Sequence, residues 1–107
     1  MNVITNNNIK CTIALAALEN VIDPEIGLNV VDLGLIYQLD FDDAGMKIYI
    51  TMTLTTQFCP MGESITGGVK RVLENTFIGE EVLLELSFDP LWSHERISGE
   101  GQIFLNR

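Results

Sequence analysis

Two spacings of apolar residues alternate along the chain. From Ile9 to Ile22 they recur at helical intervals: Ile13, Leu15, Leu18, Val21 and Ile22 form a broad face, and Ala14, Ala16 and Ala17 raise helix propensity. Asn8 is the expected N-cap, and Pro24 is expected to stop the helix by disfavouring helical geometry at Asp23. Residues 35–42 and 46–55 change to a period of two. Tyr37, Leu39 and Phe41 oppose Gln38, Asp40 and Asp42, and Met46, Ile48, Ile50, Met52 and Leu54 oppose Lys47, Tyr49, Thr51, Thr53 and Thr55. With a turn at 42–45, this predicts an antiparallel hairpin buried on one side. Helical spacing returns over 60–77 in Met61, Ile65, Val69, Val72, Leu73 and Phe77. Gly67 and Gly68 lie inside that stripe and mark a close backbone approach to the sheet, or local looseness. Residues 81–89 read as a third strand, with Val82, Leu84, Leu86 and Phe88 on one side, and a short helix is expected near Ile97 to Phe104.

The order α-β-β-α-β predicts an α+β fold, a two-layer sandwich with two helices on one face of a small antiparallel or mixed sheet. Between the first helix and the hairpin lies "DPEIGLNVVDLG", residues 23–34, which carries turn formers among apolar residues. A loop that apolar must lie on the body of the protein, which holds Asp23, Glu25 and Asp32 in place. Residues 1–8, polar and rich in asparagine, are expected to be a disordered tail, leaving 9–107 as one domain.

Composition narrows the functions. The chain has 107 residues, 47% of them hydrophobic, enough for a core without disulfide staples. Its net charge of −9 repels phosphate backbones and anionic lipids, so neither nucleic acid nor a membrane is an expected partner. Two cysteines far apart, Cys11 and Cys59, suit a reducing cytoplasm better than an oxidising one. Ile13 to Leu18 is too short, and too soon followed by Glu19, for a signal-peptide core.

The candidate chemistry sits in "TLTTQFCPMGES", residues 53–64. Cys59 follows a strand and precedes Pro60, which favours the first helical position and pushes the preceding residue into extended geometry. Cys59 thus reads as an N-cap, where free N–H groups and the helix dipole favour a thiolate, with Glu63 opposing. Thr55 and Thr56 precede it and can donate to a sulfur or an oxyanion. If the two helices lie side by side, Asp23 and Glu25 come near as well. Each residue also has a plainer reading. A cysteine at a strand end is commonly a small buried hydrophobe, threonines are ordinary strand formers, and acids after a helix are commonly solvated. Cys11 reads as packing or surface, His94 as surface, and Trp92 as a lid on the core. The chain lacks CxxC, HExxH, GxGxxG and GxSxG, which leaves zinc, nucleotide and hydrolase chemistry without a motif.

Taken together, "VIDPEIGLNVVDLGLIY", "TMTLTTQFCP" and "FDPLWSHERISGEG" resemble the SufT/PaaD-like family of metal–sulfur cluster assembly domains, from about Ile13 to Leu105. The resemblance implies an iron–sulfur cluster assembly domain-like fold. It also implies an accessory, non-enzymatic role in making or delivering iron–sulfur clusters, with assembly proteins and client apoproteins as partners. Carried onto this chain, the family's site is Asp23, Glu25, Thr55, Thr56 and Cys59. The phenylacetate-pathway branch has further cysteines in a longer C-terminus; "SGEGQIFLNR" has none, so the general assembly branch is expected.

Clusters are typically held by about four protein ligands, mostly thiolates. One chain offers one well-placed thiol, and a symmetric dimer offers two. The expectation is therefore transient holding of iron, sulfur or a cluster, with Cys59 as a metal ligand and a partner, second subunit or small thiol completing the set. Two rival readings follow from the same residues. One is an interaction adaptor that recruits clients through its acidic surface and Trp92, and the other is a thiol redox or sulfur-transfer catalyst with Cys11 resolving.

Overall fold

The computed structural model describes residues 3–57 and 62–106. Strands β1 (Ile4–Thr5), β2 (Ile36–Asp42), β3 (Lys47–Met52) and β4 (Glu81–Leu86) form one sheet in the order β1-β2-β3-β4. Helices α1 (Asn8–Leu18) and α2 (Gly62–Thr76) pack on each other, α1 against β2 and α2 against β4. A 3-10 turn at His94–Arg96 leads into α3 (Gly99–Leu105). The architecture is mixed α+β. The β2–β3 pair is the antiparallel hairpin that the alternation predicts. The outer pairs, β1 with β2 and β3 with β4, are parallel. Parallel neighbours need a crossover connection, and α1 and α2 supply the two.

The residues expected to be a tail begin the sheet. Ile4 and Thr5 pair with Gln38 and Leu39, and the Asn6 side chain bonds both backbone groups of Phe41. The N-cap of α1 is Asn7, one residue before the expected position; its side chain accepts the N–H of Lys10 at 3.0 Å. Three consecutive asparagines gave the pattern no means of choosing. Nor does α1 reach Ile22. It ends at Leu18 because Val21 leaves the helix to pair with Val30, and Ile22 bridges to Asn29. The buried face of α1 is consequently Cys11, Ala14, Leu15 and Leu18, while Ile13 and Ile22 are exposed.

In β2 the alternation slips at one residue. Ile36 pairs with Met52 and Gln38 with Thr51, leaving Tyr37 as a bulge. Ile36, Leu39 and Phe41 are buried, and Tyr37 turns outward to donate to the Pro90 carbonyl, with the Arg96 guanidinium 4.2 Å from its ring centre. Ile48, Ile50, Met52, Leu54, Ile65, Val69 and Leu73 complete the core as predicted; Met61 lies outside the described residues. Gly68 makes a close approach to α1's end rather than to the sheet: a Cβ there would lie 3.3 Å from Val21 Cγ1. On β4, Val82 is buried, Leu84 half-buried and Leu86 exposed, so cover thins along the edge strand.

Candidate functional site

The loop after α1 is tied down by backbone bonds. Val30 N–H donates to Val21, and Asp23 N–H donates to Leu28 at 2.9 Å, which pinches residues 23–28 into a closed tip. Within it Asp23 is 2% exposed, its Oδ1 accepts the Glu25 N–H at 2.9 Å, and its carbonyl accepts Gly27 N–H at 2.7 Å. This is the Asx turn that aspartate before proline favours, completed by Gly27 at φ +83°. Glu25 and Pro24 are exposed at the tip. The two acids thus differ: the Asp23 carboxylate holds the turn, and Glu25 projects from it.

Asp32, expected from sequence only to be held in place by its loop, is itself an anchor. Its Oδ2 accepts the Asn29 side-chain amide at 2.7 Å, its Oδ1 accepts the Ser98 hydroxyl at 2.8 Å, and its carbonyl accepts the Ser98 N–H. Ser98 in turn caps α3 by accepting the Gly101 N–H. The loop therefore carries α3, and α3 lies over the loop: a Cβ on Gly101 would sit 2.9 Å from Leu28.

Past β3, Thr53 and Leu54 are buried, Thr55 is half-buried and Thr56 is exposed. Thr55 and Thr56 border an open hollow of about 390 Å³, lined also by Leu54, Gln57, Phe88, Leu91 and Trp92. On the far side of the turn, Gly62 opens α2 within contact of Leu54, where a Cβ would be 2.9 Å from Cδ1. Gln57 and Gly62, the described residues flanking Cys59, thus both sit at Leu54. Cys59 itself, with Pro60, lies outside the described residues, and so does its expected role as N-cap of α2. The threonines come together at this hollow; Asp23 and Glu25 come together on the loop and do not line it.

Trp92 is where sequence reading fell short. It packs half-buried against the core, as a lid would, and its Nε1 donates to the Leu33 carbonyl at 2.6 Å. It is also a wall of the hollow beside the threonines, with Leu91 67% exposed next to it. The available signal was two large apolar residues, Leu91 and Trp92, directly after Asp89-Pro90, where a turn should expose them.

Among the described residues no three His, Cys, Asp or Glu side chains are grouped to hold a metal ion. The other thiol, Cys11, is buried in the core, and burial pushes its pKa up, with a hydrogen bond to Thr5 partly opposing. It is thus a poor ligand, because the thiolate is the form that binds metal. The described donors therefore form no ligand set for a cluster. No helix among the described residues is long and apolar enough to cross a membrane.

The described structure is that of a class: a small α+β domain with an anchored Asp-Pro-Glu loop and a threonine pair that shortly precedes Cys59 in the sequence. The chain belongs to the iron–sulfur cluster assembly protein family, whose model matches residues 13–83. It is 36% identical over 91 residues to the Fe-S protein maturation auxiliary factor YitW of Bacillus subtilis, covering 85% of this chain and 88% of that one. To the Fe-S protein maturation auxiliary factor SufT of Staphylococcus aureus it is 38% identical over 85 residues, 79% of this chain and 96% of that one. A crystal structure of a DUF59 domain from Bacillus anthracis superposes with a TM-score of 0.81 at 40% identity, covering 87% of this chain and 88% of that chain.

Proposed function

We propose that this protein is an accessory, non-catalytic factor that assembles iron–sulfur clusters or delivers them to client apoproteins, and that Cys59 transiently holds iron, sulfur or a cluster. The observation that carries the reading is the family match over residues 13–83, which spans both the Asp-Pro-Glu loop and the Cys59 turn. The names of the relatives, Fe-S protein maturation auxiliary factors, support it.

In this reading the cluster is cargo and moves by ligand exchange. A bond from iron to Cys59 Sγ forms as a bond to the donor's thiolate breaks, and a client cysteine later displaces Cys59. No electron is transferred, and each displaced thiolate takes up a proton as the incoming thiol gives one up. Thr55 and Thr56 donate to the bound sulfur, and Glu25 is a labile oxygen ligand or a contact for the client. Asp23 acts by shaping the loop that presents Glu25. One thiolate cannot complete a cluster's ligand set; a donor, a client, a second copy or a small thiol supplies the rest. Two cysteines far apart in sequence suit a reducing cytoplasm.

Anaerobic reconstitution with iron and sulfide, followed by visible absorbance, tests the site. The parent and Cys11→Ala should develop sulfide-to-iron charge-transfer bands, and Cys59→Ala should not. Equal maturation of a cluster enzyme by Cys59→Ser and the parent would sink the Cys59 role. A second reading is favoured by the exposure of Leu91 beside Trp92, namely an adaptor that docks a client at the hollow. It predicts that Leu91→Asp abolishes maturation while Cys59→Ser does not.

A further inference from the structure

Glu81 N–H donates to the Met46 carbonyl and Ser87 N–H to the Met52 carbonyl, both at 2.9 Å, so both ends of β4 turn their odd-numbered backbone groups toward β3. The β3–β4 register runs without a slip from Lys47–Glu81 to Met52–Leu86. Backbone direction alternates along a strand. Val82, Leu84 and Leu86 therefore point their N–H and C=O groups away from the sheet. Among the described residues these groups have no backbone partner outside the strand. The opposite edge differs: β1 is only two residues long, and Asn6 closes on Phe41 beside it.

The chemistry beside this edge is specific. The uncovered sheet face carries three rows across β2, β3 and β4: Asp42–Lys47–Glu81, Asp40–Tyr49–Leu83 and Gln38–Thr51–Glu85. Tyr49 and Leu83 are 44% and 37% exposed, and the three rows hold four carboxylates against one lysine, with Arg96 bordering them only at the Gln38–Thr51 end. On the helix side of the same edge, Leu86 is 42% exposed and Leu84 half-buried. Edge strands are commonly protected by charged side chains, a proline or a bulge; β4 has no proline and no bulge, and its charges, Glu81 and Glu85, are both acidic, which repels acidic strands and attracts basic ones. A second copy is a poor occupant. In two-fold antiparallel pairings centred on Leu83 or Leu84, the glutamates of both copies line one face of the seam, and like charges across strands are destabilising.

We propose that β4 is a docking edge for an extended basic segment of a partner protein, which adds to the sheet as a fifth strand. The surroundings set its pattern. Residues opposite Glu81 and Glu85 are Lys or Arg, the residue opposite Leu83 is apolar, and the two between them are apolar against Val82 and Leu84. Backbone hydrogen bonds hold the strand, and alternate side chains select it. The pattern is argued from β4 and its neighbours alone, so the proposal is tested apart from cluster transfer.

The probe is a dye-labelled Thr-Lys-Val-Leu-Val-Lys-Thr peptide, titrated with the full chain and read by fluorescence anisotropy at low salt. Its comparators are the peptide with both Lys replaced by Glu and the peptide N-methylated at the three central residues. We expect saturable binding, weakened about tenfold or more by the Glu peptide, by N-methylation, and by the exposed double variant Glu81→Lys/Glu85→Lys. Leu86→Pro, which removes one outward N–H, should weaken binding too, with circular dichroism reporting its fold. Equal binding of the N-methylated peptide would reduce the effect to surface charge and overturn strand addition. No binding of the parent peptide would overturn it as well. So would a dimer in sedimentation that dissociates in Leu86→Pro, since a second copy would then hold the edge.

Discussion

The indole Nε1 of Trp92 donates to the main-chain carbonyl of Leu33 at 2.6 Å, across 59 positions of sequence. This bond joins the segment after β4 to the loop before β2, and it fixes the indole that walls the threonine hollow. Trp92→Phe keeps most of the apolar contact and removes the donor. It should cost about 1–2 kcal/mol in urea unfolding, the usual effect of stranding the carbonyl of a buried residue such as Leu33. A change within error would mean that water replaces the indole without penalty.

Asp23 should behave as a structural residue. Asp23→Ala removes the acceptor for the Glu25 N–H and is expected to destabilise by about 1 kcal/mol or somewhat more, whereas Asp23→Asn keeps an acceptor oxygen and should lose less. Glu25→Gln, at the exposed tip, should leave stability within about 0.5 kcal/mol of the parent. Equilibrium unfolding of the three variants orders them, and a Glu25→Gln loss as large as that of Asp23→Ala would contradict the assignment.

The adjacent glycines of α2 should separate. Nothing but the Arg71 side chain, at 3.9 Å, comes near a Cβ on Gly67, while a Cβ on Gly68 would press Val21 at 3.3 Å. Gly67→Ala should stabilise by about 0.5–1 kcal/mol through helix propensity. Gly68→Ala should fall below it by a similar amount, because Val21, just past the end of α1, must give way. Thermal melts of the two variants make the comparison directly.

Cys11 supplies a pH test. Burial raises its pKa in the folded state, so the unfolded thiol ionises first. Stability from this group is then constant below the unfolded thiol's pKa, about 8.5, and declines as pH rises through and above it. Cys11→Ala should lose that decline between about pH 8 and 10, although its cavity costs stability at every pH. In a Cys59→Ser background, maleimide should label Cys11 slowly at neutral pH and rapidly in urea. Fast labelling of the folded chain would show the thiol to be reachable.

Periodicity located both main helices and the hairpin because each element buries a single stripe, and a stripe repeats at the element's own pitch. It failed where a side chain's partner lies far along the chain. The Tyr37 bulge belongs to the pairing of β2 with β3 and to the contacts of Tyr37 with Pro90 and Arg96. β1 was missed because two residues carry no period. The early end of α1 follows from a competing pair, Val21 with Val30, that helix propensity cannot sense.

For the site, local chemistry made Asp23, Glu25, Thr55, Thr56 and Cys59 candidates beside plainer readings, since turn formers and capping residues act over a few positions, and only the resemblance of three motifs to a family joined them into one site. Tertiary structure decided what the neighbours do. It buried Asp23 into a turn, used Asp32 to carry α3, and stood Trp92 beside the threonines. Those outcomes depend on which distant backbone groups need a partner once the core has closed, and no short stretch of chain contains that information.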